Sequence, residues 1–148
     1  MQKTRRAARE LALNILYQTD VAGMPVEEAI DAARENAGLQ GEAEIYALKV
    51  IYGVLDNIKH VDEIIRALAP DWPPERQPSV DRNVLRIAIY EMAYEHEVPD
   101  VVSVNEAVEL AKRFSTPDSG KFVNGVLAGY LKSKTEIMEE RGIGSTDS

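Results

Sequence analysis

Apolar residues recur at helical spacing along almost the whole chain, and no run of alternating apolar and polar residues lasts long enough to make a strand. That regularity restricts the fold to an all-α one of about seven helices. Ala8, Leu11, Ala12, Ile15 and Leu16 form one face of a first helix that ends near Val21, ahead of Gly23. Pro25 suits the first turn of a second, with Val26, Ala29, Ile30 and Ala33 as its inner stripe up to Gly38. Leu48, Ile51, Tyr52, Leu55 and Ile58 mark a third helix, and Ile64, Ile65 and Leu68 a fourth that begins near Val61.

Four of the seven prolines crowd into residues 70–78, which fixes φ repeatedly and removes backbone donors. This stretch is the expected connector between two halves, about 1–70 and 78–134, of a single domain over 1–134. Beyond it, Ser79 can cap a fifth helix whose Val80, Val84, Ile87, Ala88 and Met92 face inward. Ser103 and Glu106 fit a capping box, which predicts a sixth helix starting there with Val104, Ala107, Leu110, Ala111 and Phe114 inside. A seventh buries Val123, Val126, Leu127, Tyr130 and Leu131, and its Gly125 and Gly129 are read as close-packing positions. From about Lys134 the periodicity fades, so residues 135–148 are expected to form a flexible tail.

The catalytic readings fail one by one. The chain has no Cys and only two His, so neither a thiol nucleophile nor a four-ligand Cys/His zinc site can be built. Gly120-Lys121 is not a phosphate loop, because Ser115 and Phe122 stand where a Walker A motif needs Gly and Ser/Thr. No cofactor, no metal and no enzyme activity are expected. The opening MQKTRRAARELAL lacks the apolar core of a secretion signal, and no run of about 18 apolar residues occurs, so the cytoplasm is the expected location.

Charge is distributed unevenly over the 148 residues. The net charge is −8, yet residues 1–13 hold Lys3, Arg5, Arg6 and Arg9 against Glu10 alone, a local +3, while residues 26–46 carry −5. A basic tip on an acidic body disfavours indiscriminate nucleic-acid binding and favours a chosen anionic partner. Arg6, Arg9, Leu13 and Tyr17 follow one helical line, which joins phosphate-binding guanidinium groups to an aromatic surface and suits single-stranded RNA better than a duplex. The plainer alternative is a solvated helix end with Tyr17 in the core. Against it, three Arg in the first turns oppose the helix dipole unless an anion arrives. A second candidate is Asp118-Ser119-Gly120-Lys121-Phe122, where Asp118 or Ser119 can cap the last helix and free N–H groups beside Lys121 would welcome an anion. Phe122 either stacks on a base or enters the core.

Four ordered motifs then carry a resemblance: residues 5–18 (RRAARELALNILYQ), 81–91 (DRNVLRIAIYE), 104–112 (VNEAVELAK) and 118–127 (DSGKFVNGVL). Together they closely resemble the bacterial transcription antitermination protein NusB family, from about Arg5 to Leu131. The resemblance implies two packed three-helix bundles, the RNA element boxA as ligand, and a partnership with NusE, the ribosomal protein that doubles as a transcription factor. It also implies assembly with RNA polymerase to support ribosomal RNA transcription. It places boxA on Lys3, Arg5, Arg6, Arg9 and Tyr17 and on Asp118, Ser119, Lys121 and Phe122, and NusE on Asp81, Arg82, Arg86 and Glu91. Two rivals are a NusB-like domain cut from an RNA cytosine methyltransferase, for which no Gly-rich cofactor loop is present, and a homodimerisation or protein-interaction module without RNA.

Overall fold

A computed structural model describes residues 2–37 and 40–140, with side chains from 4 to 36 and from 40 to 135. Over these residues it contains seven α-helices and one short 3₁₀ turn. Helix α1 (Gln2–Val21) stops before Gly23, whose φ of +67° is cheap only for glycine. Pro25 lies just ahead of α2 (Val26–Ala37) and accepts from the Ala29 N–H at 3.1 Å, while Glu27 and Glu28 meet the positive helix end.

Helices α3 (Gly41–Asp56) and α4 (Ile58–Leu68) are separated by Asn57 alone. Its side-chain amide donates to the Gly53 carbonyl at 2.8 Å, closing α3 early, so Ile58 belongs to the fourth helix and not the third. The proline stretch forms a 3₁₀ turn at Pro74–Arg76, and buried Gln77 donates back to the Trp72 carbonyl.

Helix α5 (Ser79–Tyr94) takes Pro78 as its N-cap, leaving Ser79 as the first helical residue. Helix α6 (Asp100–Phe114) begins a full turn before the expected capping box, with Pro99 at the N-cap position. Ser103 is buried inside the helix and its hydroxyl has no partner, while Glu106 turns away from the backbone to meet arginines of α1. A capping box needs Ser103 to sit outside the helix, and here both residues serve tertiary packing instead. The last helix, α7 (Pro117–Glu140), continues past Lys134, and residues 141–148 of the expected tail lie outside the described residues.

Helix α1 packs on α2, α3 and α5, and α5 in turn packs on α3, α4, α6 and α7. Two three-helix groups, α1–α2–α3 and α5–α6–α7, therefore meet along α5, with α4 against α5 and α7. Eleven of the sixteen residues of α5 are buried, among them Asp81, Asn83, Arg86 and Glu91. No helix among the described residues is long and apolar enough to cross a membrane.

Candidate nucleic-acid interface

The arginines at the start of α1 find their anions inside the protein. Arg5 stands 3.8 Å from Glu97, and its guanidinium covers the Tyr46 ring at 5.3 Å. Arg6 donates two parallel hydrogen bonds of 2.9 Å to the two oxygens of Glu106. Arg9, only 2% exposed, donates from Nε to both Glu91 oxygens at 3.0 Å, and its Nη1 lies 3.6 Å from Glu106. Tyr46 adds a phenolic donor to Glu91. The anion that three Arg in a helix's first turns require is thus supplied by α5, α6 and the turn between them.

Arg9 is therefore a correction: α1 is enclosed by α2, α3 and α5, and the line from Arg6 to Tyr17 turns inward in its middle, at Arg9 and Leu13. Arg6 stays on the surface, its side chain 53% exposed, and two of its five N–H donors are engaged. The hydrogen bond and charge of Glu106 raise the Arg6 guanidinium above its ordinary value, and Arg6 in turn holds the Glu106 carboxyl below its own. Tyr17 is 40% exposed, and the side chain of Lys3 lies outside the described residues.

At the start of α7 the cap is Thr116, not Asp118 or Ser119: its Oγ1 accepts from the Ser119 N–H at 3.1 Å. Ser119 is buried, its hydroxyl shared between Ser115 and Thr116. Asp118 and Lys121 face solvent, and Phe122 is half-buried against the hydrophobic core. A Cβ at Gly120 would lie 2.8 Å from Cγ of Lys112, so the close approach allowed there belongs to the stem of that lysine. Lys112 and Arg113 escaped the sequence reading because basic residues in a last helical turn are explained by the dipole alone.

The residues expected to hold a protein partner are mostly interior. Glu91 is 1% exposed and saturated by Arg9 and Tyr46, and Asp81 and Arg86 are buried as well. Arg86 grips Asp62 of α4 through two bonds of 2.9 Å, and Arg82, Asn83 and Arg86 converge on Asp20 at the end of α1. Burial pushes the Asp20 carboxyl up, but hydrogen bonds from Arg82 and Asn83 and the charges of Arg82 and Arg86 bring it below its ordinary value. Arg86 and Glu91 fasten α5 to its neighbours, while Asp81 is buried and its Oδ1 has no hydrogen-bond partner among the described residues, so as surface contacts Asp81, Arg86 and Glu91 are corrected, and Arg82 is held largely by Asp20 and the Pro74 carbonyl. What does face outward nearby is a groove of about 650 Å³ along α1, lined by Glu10, Leu13, Asn14, Tyr17, Val80 and Phe114. Phe114, expected inside, is 46% exposed on its rim.

Against known proteins, a model of the NusB family matches residues 6–132. The transcription antitermination protein NusB of Desulforamulus reducens is 40% identical over 132 residues, which cover 89% of this chain and 92% of that protein. That of Rubrobacter xylanophilus is 45% identical over 126 residues, 85% of this chain and 88% of its own. A crystal structure of the antitermination factors NusB and NusE in complex with double-stranded RNA is similar with a TM-score of 0.82 and 28% identity, covering 90% of this chain and 99% of that one.

Proposed function

The chain belongs to the NusB family, and from that premise we propose that it is a transcription antitermination factor, an RNA-binding protein and not an enzyme, acting in the cytoplasm. It binds RNA of the boxA class through the start of α1 and the start of α7, together with NusE, within the RNA polymerase complex that transcribes ribosomal RNA. The observation that carries this reading is Arg6: a half-exposed guanidinium with free donors, at the basic tip of a chain whose net charge is −8. Arg5 beside it and Lys121 on α7 extend the positive surface.

Titrating labelled boxA RNA, single-stranded and duplex, against the protein with and without NusE tests the assignment. Replacing Arg5 and Arg6 by Ala should weaken binding and flatten the salt dependence by about 0.7 per lost phosphate contact on a single strand. Unchanged affinity and slope would refute RNA binding at this tip. The groove carrying Tyr17 and Phe114 supports a protein on the neighbouring face, because exposed aromatics over an apolar floor are typical anchors. We assign NusE to that groove. A Tyr17→Asp variant that still binds NusE as the parent does would move the partner elsewhere, and self-association lost in the same variant would favour a homodimer.

A further inference from the structure

Between the two segments proposed to face RNA lies the end of α6, which carries the arginine Arg113. Arg113 is 53% exposed in its side chain, pairs with Glu10 of α1 and covers the Phe114 ring at 5.1 Å. It lines one small surface recess together with Arg6, around Glu106, Glu109 and Leu110. Lys112, its neighbour in sequence, is pressed against Gly120 at the start of α7, next to Lys121. Arg6, Arg113, Lys112 and Lys121 thereby connect the tip of α1 to the start of α7 as one cationic line across the end of α6.

We propose that Arg113 is a further RNA-phosphate contact and that Glu10 competes with the phosphate for it. The inference rests on the RNA reading of α1 and deepens it. A guanidinium held by a carboxylate at the surface is already oriented to grip an oxyanion, since carboxylate and phosphate offer the same paired acceptors to its fork. The exchange of one acceptor for the other leaves Arg113 satisfied in both states. Its cost is the release of Glu10 into water, a small penalty for a partly exposed ion pair. Glu109, the remaining carboxylate of the recess, is exposed and weakly paired with Lys112 at 4.0 Å, so it lowers the local potential without blocking the line.

A plainer role is available: a cation in the last turn of α6 complements the helix dipole, and its pair with Glu10 pins α1 to α6. The two roles separate in a salt-dependent titration of labelled boxA RNA. Arg113→Ala should lower affinity several-fold and reduce the salt slope by about 0.7, while Arg113→Lys keeps most of the slope. Glu10→Gln should raise affinity, and that gain should vanish in the Arg113→Ala background. Melting curves of each variant verify that the folded protein is being compared. If Arg113→Ala binds as the parent while Arg6→Ala is weakened, the proposal is overturned and RNA binding by α1 stands. If neither variant is weakened, the RNA reading falls with it.

Discussion

Arg6 and Arg9 lie three positions apart on the same helix and differ in what surrounds them. Replacing Arg9 by Ala would leave Glu91 enclosed with Tyr46 as its remaining donor, and breaking a buried pair from one side costs about 3–5 kcal/mol. A large fall in the denaturant midpoint is expected for Arg9→Ala and little change for Arg6→Ala, whose guanidinium is half in water. The small stabilisation from Arg6 also has a pH signature. Hydrogen bonding by Arg6 holds the folded Glu106 carboxyl below its ordinary 4.5, so this stability is present above that pH and is lost as pH falls through the lower folded value. Melting curves of the parent and Arg6→Ala should converge on acidification. Phe122→Ala should cost about 2 kcal/mol in urea unfolding, less than the roughly 3–5 kcal/mol of a fully enclosed Phe, because Phe122 is only partly buried against the core. In the sequence the two arginines look alike, since the carboxylates that divide them, Glu91 and Glu106, come from helices far along the chain. Three arginines in the first turns of a helix call for anions, and these come from within the chain, from Glu91, Glu97 and Glu106, and not from an arriving ligand.

Among the helices, periodicity located all seven, because a stripe of apolar residues at a spacing near 3.6 belongs to one element and needs no knowledge of its neighbours. It failed where an element is defined by what packs on it. The resemblance implies a partner surface at Asp81, Arg82, Arg86 and Glu91 of α5, whereas five other helices pack on α5, and Asp20, Asp62 and Arg9 pair with Asn83, Arg86 and Glu91. The glycines tell the same story. Gly125 has open space at its Cβ position and Gly129 an ordinary contact with Leu68, while the tightest approach is at Gly53, where an added Cβ would lie 2.2 Å from the Tyr90 ring. A Gly→Ala change inside a helix normally gains about 1 kcal/mol in propensity. At Gly53 the sign should reverse, because α3 and α5 must move apart, and a loss of roughly 1–3 kcal/mol is expected from the thermal midpoint. At Gly125 the propensity gain should appear undiminished.

Over the whole molecule, Glu10 lines the groove assigned to NusE and also pairs with Arg113 beside the recess of Arg6. A partner that engages Glu10 would free Arg113 for phosphate, which gives the two ligands a shared residue through which to help each other. Calorimetry should then find RNA bound more tightly in the presence of NusE, and NusE more tightly by the same factor in the presence of RNA. Equal dissociation constants with and without NusE would refute this coupling. Helix α5, walled in by α1, α3, α4, α6 and α7, carries a further consequence. None of its central amides can meet a deuteron while its neighbours stay in place, so deuterium uptake there should proceed only through complete unfolding. Those amides would serve as a clock for the whole fold, and bound RNA would slow that clock only by the mass-action gain that ligand binding confers on the native state.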